Sequence, residues 1–324
     1  MNEERIMIAE TCERLFAAHL DAEVFRTAEA GRFPHGLWDA ITENGLDRIL
    51  VPEAQGGSGL GWEDAHVVLL AAGRHAAPVP LAEAIAAGGL LGQLPDGIVT
   101  LGTSGADPEM VRVPWGRDAG HMLVSDADDG LRCVSLDGAA ITRDRNIGRD
   151  PRDGVVVEGL VTGNMGVDQV HAAGALVRSC QMAGAVSAVL DLCVTYTNER
   201  VQFGRPIGRF QAIQQQLAVM AGEAAAAGVA ARAACRMVDA GGNIIAAAAT
   251  AKIRTGEAAG KAANIAHQVH GAIGFTDEYR LHHLTRRLWA WRSEFGAESN
   301  WAGLLGRLVA ARGADKLWPD LTDG

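Results

Sequence analysis

The 324-residue sequence has no excess of basic charge and no long apolar run. Its 29 basic residues are outnumbered by 39 acidic ones, giving a net charge of −10, which argues against a broad nucleic-acid surface. No apolar run reaches about 18 residues, and Arg178, Ser179 and Gln181 interrupt the most apolar stretch, so no membrane span is expected. The acidic start over residues 1–16 also lacks the basic and apolar regions of a signal peptide.

Metal and disulfide motifs are also scarce. The five cysteines form no C-x-x-C pair, so we expect reduced, mostly buried thiols in a cytoplasmic protein. They are Cys12, Cys133, Cys180, Cys193 and Cys235. Glu63 and His66 form a lone E-x-x-H, whereas a di-iron bundle needs two such motifs. The histidine pairs at 267/270 and 282/283 have no Cys or carboxylate array around them, so no metal site is expected.

Common nucleotide and nucleophile motifs are missing as well. The glycine-rich run at 56–61 follows the strand-like Ile49–Val51, but a dinucleotide-binding fingerprint would need glycine where Trp62 stands. There is no phosphate-binding P-loop and no G-x-S-x-G elbow. The run is better interpreted as a turn that lets helices approach each other closely.

What the sequence does contain predicts a mainly α-helical protein with a small β domain. Residues 1–95 have helical spacing of apolar residues, and residues 96–163 hold four or five short runs of strand composition. Residues 164–324 are rich in alanine, with helical stretches at about 169–200, 209–240, 243–271 and 279–312. Such long helices with few breakers are typical of a close-packed bundle.

The first candidate binding segment lies between two of these long helices. A turn at 204–206 is flanked by Arg200, Arg205 and Arg209, with Phe203 and Phe210 among them. Guanidinium groups and the amides at a helix N-terminus suit a diphosphate. The alternative is a simple helical hairpin with solvated arginines.

The second candidate segment ends the next long helix. Gln268 is followed by Gly271 and Gly274, which would let a planar or phosphorylated ligand approach the backbone. The alternative is a glycine that only terminates the helix.

At these segments the sequence resembles the acyl-CoA dehydrogenase family. Residues 200–211 are similar to its R-x-x-F-G…Q helix hairpin, and residues 268–279 to its Q-x-x-G-G-x-G-[FY]-x-x-E-[YF] motif, with Ala272 replacing one glycine. Residues 52–60 resemble its P-E-x-x-G-G-x-G-L turn. The resemblance implies an N-terminal helical domain, a β domain and a C-terminal four-helix bundle. It covers most of the chain.

The resemblance also implies a cofactor, FAD, between the β domain and the bundle, with a neighbouring subunit completing the site. Arg200 would hold the FAD diphosphate of the neighbour, and Phe203 would pack against its adenosine end. The other side chains and backbone implied in cofactor binding are Gln202, Gln211, Gln268 and Gly271.

Two departures from the family pattern bear on catalysis. The family's T-E-P-x-x-G-S-D strand-loop, which contacts the flavin and the thioester, is absent. The catalytic glutamate of the family's Y-E-G-T turn is replaced by Phe295, with Glu294 one residue early. The family's alternative position for the base, directly after the helix arginine, is occupied by Val201. A base must remove the α-proton, so Glu294 would serve only if a deletion shifts the turn. Otherwise it would pair with arginines on the surface (Arg286, Arg287 or Arg292).

Three hypotheses remain open from the sequence. The first is a subunit of a heteromeric acyl-CoA dehydrogenase of the type known in steroid catabolism, possibly a heterotetramer, whose full-length partner carries the base. The second is a self-sufficient homo-oligomer with Glu294 as base, and the third is a structural subunit without flavin. The first two imply FAD, an acyl-CoA substrate and an electron-transfer acceptor.

Overall fold

The computed structural model describes residues 3–104, 110–125, 130–158, 160 and 168–322. The chain begins with five helices, as predicted for the N-terminal region. They are α1 (Glu3–His19), α2 (Ala22–Glu29), α3 (His35–Glu43), α4 (Trp62–Arg74) and α5 (Leu81–Leu91). Cys12, Phe16, Ile41 and Leu69 from these helices are completely buried and join the core that the bundle helices share.

The segment between α3 and α4 corrects one prediction. Ile49–Val51 is not a strand but lies between two short 3-10 turns, Leu46–Arg48 and Glu53–Gln55. A Cβ atom on Gly57 would lie only 2.1 Å from the carbonyl oxygen of Val51. The glycine run therefore forms a turn, as predicted, but Gly57 packs on the backbone of the preceding segment and not between two helices.

The middle of the chain forms two small sheets. The strands are β1 (Val99–Leu101), β2 (Thr103–Ser104), β3 (Val111–Pro114), β4 (His121–Ser125), β5 (Leu131–Ser135), β6 (Ala140–Thr142) and β7 (Arg152–Val156). One sheet has the order β1-β4-β5 and the other β2-β3-β7-β6, and among the described strands only β1 and β4 pair in parallel. The sequence predicts four or five strands, whereas the described residues of this region form seven. Strands β2 and β6 are missed because they are too short to give a periodic pattern. The predicted domain boundary at 163/164 lies outside the described residues.

The C-terminal half is helical. Its helices are α6 (Gln169–Glu199), α7 (Gln211–Asp239), α8 (Ile244–His270), α9 (Leu281–Ser293), α10 (Glu298–Arg312) and α11 (Ala314–Thr322). A hairpin of β8 (Val201–Gln202) and β9 (Arg205–Pro206) joins α6 to α7. The prediction of one helix over 279–312 is wrong. Phe295 and Gly296 have φ angles of 52° and 87°, which end α9 and turn the chain into α10.

Helix α6 is the centre of the bundle. By length and composition, α6 and α7 could each cross a membrane, but 89% of the apolar window of α6 is buried within the protein. That burial is typical of a core helix. The corresponding window of α7 is only 22% buried, so α7 presents an apolar face to its surroundings.

Two glycines bring α4 and α6 into backbone contact. A Cβ atom on Gly73 would lie 2.1 Å from the carbonyl oxygen of Gln181, and one on Gly184 would lie 2.0 Å from that of Leu70. These contacts attach the N-terminal helices to the bundle and agree with the close helix packing predicted for it.

Replacing Gly184 with alanine should therefore destabilise the protein, since the methyl group would clash with backbone that cannot move independently. We expect the free energy of unfolding to fall by about 3 kcal/mol in a denaturant titration. Gly36→Ala in α3, where the added Cβ meets nothing within 4 Å, is the control and should change it by no more than about 1 kcal/mol. Equal effects of the two substitutions would contradict the packing account.

Candidate functional site

The candidate residues lie at opposite ends of α6. This helix has 31 residues and is therefore about 46 Å long. Arg200 directly follows its C-terminus, whereas Arg178, near its N-terminus, contacts Glu294. The predicted cofactor residues and the predicted base thus belong to two separate sites.

The hairpin after α6 is held in a specific shape. Gln202 pairs with Arg205, which leaves Phe203 and Gly204 as a two-residue turn with φ angles of 53° and 78°. Positive φ at both positions is the geometry of a type I′ turn. Phe203 adopts it without being glycine, and its side chain is 91% exposed. A strained backbone that presents an aromatic ring to solvent is expected where the ring meets a ligand or another chain.

The arginines of the hairpin are not neutralised. Arg200 and Arg209 form no ion pair with any described residue, and Arg205 lies over the ring of Phe210 at 4.3 Å. The first turn of α7 also has no capping side chain in the described part of the chain, so its leading amides are free to bind an anion. An exposed positive surface of this kind suits a diphosphate.

The second predicted segment lies at the same end of the bundle. The ring of Tyr196, in the last turn of α6, stacks on His270 at 4.4 Å, and its hydroxyl donates to the carbonyl oxygen of His270 at 3.4 Å. Helix α8 ends at His270, close to the predicted end, and the next residue, Gly271, leaves the helical conformation with φ 62° and ψ −140°. Arg200 and Gln268 are therefore carried by helix ends that are in direct contact.

All six predicted cofactor residues are exposed in the single chain. They are Arg200, Gln202, Phe203, Gln211, Gln268 and Gly271. Phe275, stacked on His267 at 4.3 Å, adds a further exposed aromatic ring. Exposed residues of this kind can complete a site whose remaining walls come from another subunit.

Glu294 has a very different environment. Its side chain is buried, and its two oxygens accept hydrogen bonds from Arg178 Nε at 2.8 Å and from Asn146 Nδ2 at 2.7 Å. Arg178 also donates to Glu83 and, at 2.6 Å, to Gln181. The charges of these groups are thus paired within the protein interior.

The electrostatics of this cluster keep Glu294 ionised. Burial raises its pKa, but the attraction of Arg178 and Arg152 and the hydrogen bond from Asn146 outweigh burial and bring the pKa to about 2. A general base at neutral pH needs a pKa much nearer 7. Glu294 therefore has the properties of a structural counter-ion for Arg178 and Arg152.

The alternative prediction, that Glu294 pairs with arginines on the surface, is wrong. The three arginines considered for this pairing form ion pairs with other residues. Arg286 contacts Glu29 at 2.7 Å, Arg287 contacts Asp150 at 2.6 Å, and Arg292 contacts Glu298 at 2.6 Å. These pairs fix the orientation of α9 relative to the rest of the fold.

The residue at the base position, Phe295, fills space against α6. A Cβ atom on Gly174 would lie 2.4 Å from its ring, so glycine is required for this contact. The turn itself is held by Lys252, whose Nζ donates to the carbonyl oxygens of Arg292 and Gly296 at 2.8 and 2.7 Å. Trp301 Nε1 donates to the carbonyl oxygen of Phe295 at 2.8 Å. The turn is rigid and presents no carboxylate at this position.

Val201 does not replace the missing base. It follows the C-terminus of α6, whereas Phe295 packs on Gly174 near the N-terminus, which places them about 40 Å apart along the helix. The position taken as an alternative base is therefore far from the turn that Phe295 occupies.

A cleft of about 490 Å³ adjoins Glu294 between the sheets and the bundle. It is lined by Asn146, Ile147, Arg152, Trp289, Ala290, Ser293 and Glu294. Deeper in, beside Arg178, Trp115 and Trp291, the remaining space is only about 10 Å³. The ionic cluster and the aromatic rings leave little room there for a bound molecule.

Sequence reasoning missed most of this cluster. In the sequence, Arg178 appears only as a break in an apolar run, and no motif marks Glu83, Asn146 or Arg152. For Arg178 and Glu83 the signal is a charged residue within an apolar helix, since a buried charge needs a partner. The partners come from distant segments and could not be identified from the sequence alone.

Comparison with known proteins places the chain in a family. The description of the acyl-CoA dehydrogenase N-terminal domain matches residues 2–104, and that of the C-terminal domain matches residues 170–299. Acyl-CoA dehydrogenase IpdE2 from Mycolicibacterium smegmatis is 31% identical over 299 residues, which are 87% of this chain and 91% of that protein. The chain belongs to the acyl-CoA dehydrogenase family.

Solved acyl-CoA dehydrogenase structures share the complete fold. The Tcur3481-Tcur3483 steroid acyl-CoA dehydrogenase, as a G363A variant, is 26% identical with a TM-score of 0.84, covering 96% of this chain and 99% of that one. The ChsE4-ChsE5 complex from Mycobacterium tuberculosis is 22% identical with a TM-score of 0.83, covering 96% and 98%. FAD occupies a further structure of this fold, 16% identical to the chain. The predicted fold class is confirmed.

Proposed function

We propose that this chain is one subunit of a hetero-oligomeric acyl-CoA dehydrogenase, in which it completes the FAD site of a partner subunit that carries the catalytic base. The complex would desaturate a bulky, steroid-derived acyl-CoA thioester between its α and β carbons. The observation that carries this proposal is the separation of the two sites: the cofactor residues are exposed together, whereas the position of the base is filled by Phe295.

The hairpin end fits the cofactor chemically. The FAD diphosphate is anionic, and it would meet Arg200 and the uncapped amides of α7 on a protein whose overall net charge is −10. Phe203, held outward by the turn, would cover the adenosine end. Gln268 and the Gly271 backbone, at the adjoining helix end, offer polar groups to the same ligand.

The chemistry of the reaction explains why a partner is needed. FAD, when bound, accepts the hydride from the substrate β carbon. A base must remove the α-proton, and a positioned base typically contributes about 10²–10⁴ in rate. In this chain Phe295 cannot accept a proton, and Glu294 is held ionised by Arg178. The role of the chain is to bind and orient the cofactor, while the proton is removed by the partner.

The substrate class and the two-chain assembly are supported by the relatives. The relative with a solved structure at 26% identity is described as a steroid acyl-CoA dehydrogenase and carries two protein names, Tcur3481 and Tcur3483. The ChsE4-ChsE5 structure is likewise a complex of two different chains. The exposed apolar face of α7 provides surface for such an assembly.

The test is to purify the chain alone and after co-expression with a complete acyl-CoA dehydrogenase subunit from the same genome. We expect the chain alone to be colourless and the co-purified complex to be yellow, with flavin absorbance at a fixed ratio to protein. A chain that binds FAD stoichiometrically by itself and oxidises acyl-CoA would contradict the proposal and support the self-sufficient homo-oligomer.

A further inference from the structure

Three buried side chains from three helices meet in the core, far apart in sequence. His66 of α4, Cys180 of α6 and Cys235 of α7 each place one potential ligand atom within 4.8 Å of the other two. The sulfur atoms of Cys180 and Cys235 are 3.6 Å apart, and both cysteines are free. Nδ1 of His66 is buried and has no hydrogen-bond partner among the described residues. A buried imidazole that keeps one ring nitrogen without a partner and lies in a group with two free thiols calls for a ligand.

We propose that His66, Cys180 and Cys235 bind a divalent, thiophilic metal ion of the Zn²⁺ class. Two thiolates and one imidazole are a common donor set for Zn²⁺. With metal–sulfur bonds of about 2.3 Å, tetrahedral geometry places the two sulfurs about 3.8 Å apart, close to the 3.6 Å found here. Two thiolates neutralise the charge of the ion, which limits the cost of placing it in an apolar core.

One of the three residues, His66, also borders a cleft. The cleft, of about 220 Å³, lies between α1, α4 and α7 and opens to solvent beside Glu13, Glu63 and Arg74. A water molecule from this cleft could complete the coordination of the ion. The bound ion would connect α4 to α6 and α7 and so stabilise the N-terminal helices against the bundle.

This site could not be predicted from the sequence, because residues 66, 180 and 235 do not have the spacing of a metal-binding motif. The expectation of no metal rested on the absence of local motifs such as C-x-x-C and H-E-x-x-H. Those motifs describe ligands on one turn or one helix, whereas these three are brought together only by helix packing.

The experiment uses Co²⁺ and Zn²⁺ salts on the full chain, alone and in the co-purified complex. We expect Co²⁺ to bind one per chain, with thiolate-to-cobalt charge-transfer absorption and the intense visible bands of a tetrahedral ion. Zn²⁺ should displace Co²⁺ and raise the midpoint of thermal unfolding. Because the thiols lose protons on binding, the apparent affinity should increase with pH.

Cys180→Ser and Cys235→Ser should each lower the affinity for Co²⁺ by about 100-fold or more and weaken the charge-transfer band. Cys193→Ser is the matched control, because Cys193 is also fully buried on α6 but lies outside the trio. If the serine variants fail to fold, the thiolate-to-cobalt absorption of the wild-type protein still tests the proposal. Co²⁺ binding without a thiolate band, no binding at all, or a Cys180–Cys235 disulfide in the purified protein would overturn the proposal.

Discussion

Replacing Arg200 with alanine should remove most of the FAD from the assembled complex while leaving the complex intact. The change deletes a charge-assisted hydrogen bond to the diphosphate, worth about 1.5–3 kcal/mol, which corresponds to about a 10- to 150-fold loss of affinity. Arg200 is exposed and forms no ion pair within the described residues, so the fold does not depend on it. FAD binding to the apo complex can be followed by flavin fluorescence.

Two further variants make this result specific. Arg200→Lys keeps the charge but loses the planar, bidentate donor, so its affinity should fall between wild type and Arg200→Ala. Arg14→Ala, an exposed arginine on α1 whose contact is a 3.3 Å hydrogen bond to Thr11, should leave FAD binding unchanged. Unaltered FAD affinity in Arg200→Ala would show that the hairpin is not the diphosphate site.

Glu294→Gln should destabilise the chain without slowing the complex. The substitution removes the carboxylate that balances Arg178 and Arg152, leaving buried positive charge in excess. Breaking such a pair from one side typically costs about 3–5 kcal/mol. Turnover of the assembled complex should remain within about two-fold, whereas loss of a true base would lower it by about 10²–10⁴.

The pH dependence of stability gives an independent check on Glu294. Its folded-state pKa of about 2 lies below its ordinary value of 4.5, so the carboxylate stabilises the fold fully above pH 4.5. That contribution is lost as the pH falls from 4.5 towards 2. The Gln variant should therefore lose less stability than wild type over this range, measured by denaturant unfolding.

The control for these measurements is Glu257→Gln, which removes a carboxylate from an exposed ion pair with Arg254. Pairs of this kind contribute at most about 1 kcal/mol, so its stability and acid sensitivity should match wild type. If Glu294→Gln abolishes turnover while FAD stays bound, Glu294 is the base and the homo-oligomer hypothesis is favoured.

The sequence could predict the features that depend on neighbouring residues. The long helices α6, α7 and α8 follow from uninterrupted apolar, alanine-rich composition, and their ends were placed within about two residues. The hairpin with Arg200 and Phe203 was found because its arginines, aromatics and glycine turn are contiguous. Because these residues are neighbours in the chain, the sequence alone predicts that they lie together on one turn.

Features that depend on distant contacts could not be predicted. The break between α9 and α10 requires Phe295 to adopt positive φ, and this turn is held by Lys252, which donates to the carbonyl oxygen of Gly296 from 44 positions away. Likewise, the sequence does not predict that Glu294 is buried, because Arg178, with which it forms an ion pair, lies 116 positions away. Which charged residues form ion pairs is determined by the packing of the helices and not by the local sequence.

The most direct measurement is a cryo-EM structure of the co-purified complex with FAD bound. The account predicts FAD at the interface, with its diphosphate within hydrogen-bond distance of Arg200 and its flavin ring beside a carboxylate of the partner subunit. Glu294 should remain paired with Arg178, away from the ring. FAD bound instead in the cleft beside Arg152 and Glu294, with the hairpin free of ligand, would contradict the account.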